Sequence, residues 1–157
     1  MKIVLDAFDY RILEILNDNS RLSYAEIGRM ISLSQSATKE RVQNLIDIGV
    51  IRKFSVDIDY SKLGYNLCVI INIKFKNDEF RKFIDHLSLF PEVIRCKRIT
   101  GEYCLTAECI LKDSSHLENI IDRLIQYGIP TTSIQLSEIQ TGNFFKNSKK
   151  SNALFGD

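Results

Sequence analysis

The sequence predicts an α+β chain, an N-terminal winged helix-turn-helix followed by a ferredoxin-like βαββαβ domain. Three observations lead there. Residues 22–54, LSYAEIGRMISLSQSATKERVQNLIDIGVIRKF, hold two short helical patterns joined by a tight turn and followed by a β-branched run. Residues 65–75 alternate, with Tyr65, Leu67, Val69, Ile71, Ile73 and Phe75 on one face and Asn66, Cys68, Ile70, Asn72 and Lys74 on the other. Beyond them, strand and helix patterns recur in the order β-α-β-β-α-β. A chain of 157 residues accommodates two such domains. Each is small enough to be marginally stable alone, which favours association.

The first helix is expected over Leu5–Leu16, with Phe8, Ile12, Ile15 and Leu16 on its stripe and Asp6 and Asp9 suiting the helix dipole at its start. It has no obvious reading face and is taken as a brace. Ser23 and Glu26 form a capping-box pair for the second helix, on which Ile27, Met30 and Ile31 share a face. Ser32-Leu33 turns the chain and Ser34 caps the third helix. Thr38, Val42, Leu45 and Ile46 form its inward stripe, while Gln35, Ser36, Lys39, Glu40 and Gln43 point elsewhere. Gly49 ends it. Val50–Val56 then reads as a strand, the wing, carrying Arg52 and Lys53. The first domain is thus residues 1–56, with a turn-rich hinge at 57–64.

The third helix is the expected reader of the DNA major groove. Short residues at its N-terminus allow close approach to phosphate, Gln35 suits adenine, and Lys39 or Arg41 reaches guanine or a phosphate oxygen. The expected DNA-contacting set is Ser23, Tyr24, Ser34, Gln35, Ser36, Thr38, Lys39, Arg41, Arg52 and Lys53. Bulk charge gives no help. The chain carries 21 basic and 20 acidic residues, and residues 1–62 hold nine of each. Since phosphate neutralisation drives non-specific affinity, local placement of the basic residues must supply it.

In the second domain, residues 65–140, a helix with Phe80, Phe83, Ile84 and Leu87 inward follows the first strand. Strands Val93–Ile99 and Tyr103–Leu111 follow, turned at Gly101-Glu102. A second helix is capped by Asp113 or Ser114, with Leu117, Ile120, Ile121, Leu124 and Ile125 inward. Gly128-Ile129-Pro130 stops it, and Thr131–Ile139 is the last strand. Both helices cover one sheet face. The other, with Cys68 and Ile70 beside Asn72 and Lys74 and with Cys104, Thr106, Glu108 and Ile110, is mixed in character and reads as an association surface. Residues 141–157 form a tail whose Phe144, Phe145, Leu154 and Phe155 are candidates for packing on a neighbouring subunit, beside Lys146, Lys149 and Lys150.

The motifs exclude several classes. Cys68, Cys96, Cys104 and Cys109 form no Cys-x-x-Cys pair, and with two histidines, His86 and His116, they support no metal site and no cofactor. Each cysteine falls in a predicted strand, where a buried thiol is the default. Cys104 carries a second reading, oxidation sensing at an interface near Lys97 and Arg98. No histidine stands near a paired acid or nucleophile at a catalytic spacing, so an enzyme is not expected. No apolar run reaches membrane-spanning length and no signal peptide is visible, which predicts a reduced, cytoplasmic protein.

Leu5-Asp6, Asp9, Ile12-Leu13, Asn19-Ser20-Arg21, Leu33-Ser34-Gln35-Ser36, Arg41-Val42, Leu45-Ile46, Gly49-Val50-Ile51 and Asp59 with Lys62-Leu63-Gly64 together form a specific signature. It resembles the leucine-responsive/asparagine-regulator (Lrp/AsnC) family of bacterial and archaeal transcription factors, over about residues 3–140. The resemblance implies double-stranded DNA as a partner, a homodimer formed by packing sheet faces, and assembly of dimers into a homo-octamer. It also implies an amino-acid effector bound near Gly101, Glu102, Tyr103 and Cys104, with Thr131, Thr132 and Ser133 supplying hydroxyls. The family usually has Gly-x-x-Asp at this loop. Here Cys104 replaces the aspartate, and a thiol neither pairs with an ammonium nor orders a loop as a carboxylate does. The alternative function is a ligand-binding or structural oligomer that does not read DNA.

Overall fold

The computed structural model describes residues 4–76, 79–139 and 144. Two compact units are present, with the change between them at Asp57 and Ile58. Of the tail, only Phe144 lies among the described residues, and it is exposed.

The first unit contains three helices, α1 (Ala7–Asp18), α2 (Tyr24–Ile31) and α3 (Gln35–Asp47). Asp6 caps α1 and Ser23 caps α2, both as complete capping boxes. Ile12, Ile15, Ile27, Ile31, Val42 and Leu45 form the core. Each contributes about 1.5–3 kcal/mol by leaving water. Met30, expected inward, is 57% exposed. Ile27 and Ile31, one turn apart, already complete the narrow stripe that α2 can bury.

Ser32 ends α2 in the left-handed conformation, at φ 60°. A Cβ built on Gly28 would lie 2.5 Å from the Leu33 carbonyl oxygen and 2.9 Å from Thr38 Oγ1. Only glycine therefore permits this approach of α2 to the turn and to α3. The expected wing strand does not form. Val50 and Ile51 pack on the helical core, and residues 52–56 lie exposed with no ladder. A strand needs a second strand to take up its backbone groups, and the described residues of this unit offer none.

The second unit opens with a 3-10 turn, Tyr60–Leu63, closed by Gly64 at φ 86°. Its elements are β1 (Leu67–Phe75), α4 (Glu79–Asp85), β2 (Val93–Arg98), β3 (Leu105–Leu111), α5 (Ser114–Ile125) and β4 (Gly128–Ile134). The antiparallel sheet has the order β2-β3-β1-β4, which is the ferredoxin-like arrangement. Val69, Ile71 and Ile73 of β1 and Leu105, Ala107, Cys109 and Leu111 of β3 pack beneath Phe83, Ile120 and Leu124. The alternation read from residues 65–75 therefore assigns the buried face correctly.

Some boundaries and faces differ from expectation. Gly128-Ile129-Pro130 does not precede β4 but begins it, with Pro130 opposite Ile73. The strand is at the sheet edge, where a residue without an N–H is tolerated. β4 ends at Ile134 rather than Ile139, and β3 starts at Leu105 rather than Tyr103. Ile84 and Ile125, expected inward, are 42% and 47% exposed. His116 is half-buried in α5 against Glu92 at 3.2 Å.

Candidate nucleic-acid interface and effector loop

The N-terminus of α3 is built by Ser34, whose Oγ accepts the Ala37 N–H at 3.2 Å and lies 3.1 Å from Ser36 Oγ. Gln35, Ser36, Lys39, Glu40 and Gln43 are exposed along the same helix. Gln43 is tied to Asp47 at 2.8 Å, whereas Lys39 makes no ion pair among the described residues. A short polar entry turn thus leads to a cation one turn later, the layout a groove-reading helix requires. Arg52 and Lys53 are exposed after α3, although not on a strand.

Thr38, Tyr24 and Arg41 are turned into the unit, and Ser23, like Ser34, serves as a helix cap. Thr38 is fully buried and donates its hydroxyl to the Ser34 carbonyl at 2.9 Å. It belongs to the core rather than to the exposed face. Ser23 Oγ is used within its capping box, 2.6 Å from Glu26 Oε2. That bond holds the Glu26 carboxyl below its usual range. Tyr24 packs half-buried on the helical core.

Arg41 turns inward instead of outward. Its Nη1 donates to Asp6 Oδ2 and to Asp9 Oδ1, each at 2.8 Å, and its guanidinium lies 5.3 Å from the Phe8 ring centroid. Of the expected contact residues at this helix, Ser34, Gln35, Ser36 and Lys39 are therefore the ones left exposed. Sequence reasoning placed Asp6 and Asp9 only as dipole partners, and it missed Gly28. The signal for Arg41 was available. It lies three residues after Thr38 and four before Leu45, on the buried side of the helix.

In the second unit the hairpin between β2 and β3 presents Gly101 at φ 118° with open space around it, so the glycine serves the turn alone. The Ile99 N–H donates to the Cys104 carbonyl at 3.0 Å, and the Cys104 N–H donates to the Ile73 carbonyl at 3.1 Å. Glu102 and Cys104 are exposed and Tyr103 is half-buried. Cys104 is thus not the packed thiol expected of a strand cysteine. Cys109 is, and its burial pushes the thiol up to about 12. Burial also raises Cys68 and Cys96.

The expected effector residues do not converge within one chain. Cys104 meets β1 on its β3 side, while Thr131 lies opposite Asn72 on the β4 side. Two strand spacings separate them, about 10 Å. Pleating also divides the three hydroxyls. Thr131 and Ser133 are exposed opposite Asn72 and Ile70, whereas Thr132 lies opposite the buried Ile71 and belongs to the helix-covered face. Thr132 is therefore removed from the set on the open face.

Residues 5–46 match the AsnC-type helix-turn-helix domain and residues 68–143 the Lrp/AsnC ligand binding domain. The HTH-type transcriptional regulator LrpC of Bacillus subtilis is 32% identical over 139 residues, spanning 88% of this chain and 96% of LrpC. The LrpC structure superposes with a TM-score of 0.84 at 31% identity, covering 89% of this chain and all of that one. The HTH-type transcriptional regulator FL11 of Pyrococcus horikoshii is 31% identical over 78% of this chain and 81% of its own. A transcriptional regulator of Neisseria meningitidis, solved as its L-Met complex, matches with a TM-score of 0.81 at 26% identity, over 88% of this chain and 94% of that one. With its helix-turn-helix, its ferredoxin-like sheet and relatives matched over nearly their whole length, the chain belongs to the Lrp/AsnC family of DNA-binding transcriptional regulators, proteins that are not enzymes.

Proposed function

We propose that the protein regulates transcription as a homodimer, each chain placing α3 in a major groove with Ser34, Gln35, Ser36 and Lys39 toward the DNA. The observation that carries this reading is the division of α3. Thr38, Arg41, Val42 and Leu45 are used up inside the unit, which leaves a continuous polar face led by short side chains and one cation. The neutral overall charge is compatible with it. Asp6 and Asp9 are occupied by Arg41, while Arg21, Lys39, Arg52 and Lys53 remain exposed. Ser23 and Tyr24 act from behind as cap and packing residues.

Dimerisation through the open sheet face is supported by its partly exposed Cys68, Ile70 and Ile110. A small effector, an amino acid or related metabolite, would bind where Gly101–Cys104 of one chain meets hydroxyls such as Thr131 or Ser133 of another, since one chain does not bring them together. The L-Met complex of the Neisseria meningitidis relative supports this ligand class. Binding there acts on how dimers associate, up to a homo-octamer, and through that on the path of the DNA.

Enrichment of duplexes from a random-sequence library tests the first part. A half-site repeat one helical turn apart is expected, and recovery of no preferred sequence would contradict it. Light scattering during size exclusion, titrated with the twenty amino acids, tests the second. A shift from dimer to larger assembly with one of them is expected, and an unchanged mass with all of them would contradict effector-driven assembly.

A further inference from the structure

Asp6, Asp9 and Arg41 form a closed network. Asp6 Oδ1 accepts the N–H groups of Phe8 and Asp9, at 2.8 and 3.0 Å. Asp9 Oδ2 accepts the Asp6 N–H at 3.0 Å. The two remaining oxygens, Asp6 Oδ2 and Asp9 Oδ1, both go to Arg41 Nη1. All four carboxylate oxygens are thus occupied, and the same atoms that cap α1 hold α3. Asp9 is buried, with only 11% of its side chain exposed, while Arg41 retains 31% and Asp6 51%. The Phe8 ring supports the guanidinium from the side.

We infer that Arg41 is a positioning residue for DNA recognition, a clamp that fixes α3 against the capped start of α1, and not a contact to phosphate or base. This rests on the reading of α3 as the DNA-facing helix. Turning Arg41 toward DNA would strand a buried Asp9 oxygen without a donor, and an unpaired buried charge is strongly unfavourable. The clamp therefore keeps its arginine when DNA binds. The carboxylates act through it on where Gln35 and Lys39 stand. The Asp6 carboxyl is held below its usual range by the Asp9 N–H and, after that, by Arg41, consistent with an ionised partner at neutral pH.

Opposite signs separate a clamp from a contact. If Arg41 touched phosphate, Asp6 and Asp9 would compete with DNA for it, and Asp9→Asn would tighten binding. If it is a clamp, Asp9→Asn and Arg41→Gln weaken binding alike, and the double variant loses little beyond either single one. The measurement is anisotropy of the full-length protein on a duplex enriched by the wild type, across a salt series. Expected are losses of roughly tenfold in both single variants, with the dependence of log affinity on log salt unchanged. A slope reduced by about 0.9 per arginine removed would mark a phosphate contact and overturn the inference. Unchanged or tighter binding by Asp9→Asn would overturn it as well. Should Asp9→Asn fail to fold, Asp6→Asn, on the more exposed carboxylate, carries the same comparison. Should the wild type enrich no duplex, the DNA reading fails, and amide exchange judges the clamp alone. Faster exchange along the first turns of α3 in Asp6→Asn supports it, and unaltered exchange contradicts it.

Discussion

Both units join an arginine on a helix to a carboxylate that opens another element, yet the two junctions differ in completeness. In the first unit Arg41 of α3 closes a network in which every oxygen of Asp6 and Asp9 has a donor. In the second, Arg123 of α5 holds Glu92, just before β2, at 2.7 Å, and His116 adds a contact at 3.2 Å. Arg123 also donates to the Leu89 carbonyl and stacks over Phe90. Glu92 nevertheless keeps one buried oxygen, Oε2, with no side-chain hydrogen-bond partner among the described residues. Burial pushes the Glu92 carboxyl up, but Arg123, its own backbone N–H and His116 together outweigh it and leave it below its usual range. The first junction trims the presentation of a functional helix, while the second fastens a core. The two pairs are alike in burial, with side chains 31% and 11% exposed for Arg41 and Asp9 against 31% and 9% for Arg123 and Glu92, so the difference lies in how fully the carboxylate oxygens are satisfied.

Removal of Arg123 should have the largest effect. Arg123→Ala leaves Glu92 buried without its main donor and is expected to destabilise the second unit by about 3 kcal/mol, read by chemical denaturation. A loss below about 1 kcal/mol would place the two junctions on one footing. Gly28→Ala comes next, at roughly 1–3 kcal/mol, because its Cβ meets backbone and Thr38 rather than a movable side chain. It tests whether α3 is seated by packing as well as by the clamp. If DNA affinity survives Gly28→Ala intact, the clamp alone suffices.

Acid provides a graded comparison. Asp6 and Glu92 both have lowered folded-state values, so their contribution is complete above the ordinary carboxylate range. It is lost as pH falls through the folded values, roughly from pH 5 downward. Thermal melts across that range should show acid destabilisation that Glu92→Gln flattens strongly and Asp6→Asn only weakly. The smallest effect is on the stability of Lys39→Ala, which should stay within about 0.5 kcal/mol of the parent because the side chain is exposed.

The fold was legible wherever local pattern decided it. Period-two alternation in residues 65–75 reported the buried face, and Ser23 with Glu26 reported a helix start, because both depend on neighbours within a few residues. The wing was not legible from Val50–Val56, since β-branched residues state a preference but a ladder needs a partner strand. The candidate site divided the same way. Exposure of Gln35, Ser36 and Lys39 follows from helical spacing. Helical spacing already put Arg41 on the buried side of α3, but its partners are carboxylates 32 and 35 residues away, which no local window contains. Thr131 and Thr132 were grouped by chemistry, but pleating sends them to opposite faces.

Lys39 offers the most direct test of α3 as the DNA-reading helix, through the salt dependence of binding of the wild type and Lys39→Ala to a duplex enriched by the wild type. Loss of one phosphate contact per helix should weaken binding and lower the slope of log affinity against log salt by about 0.9 for each lysine removed, with the melting temperature unchanged. Affinity and slope both identical to the wild type would contradict the placement of α3 in the groove.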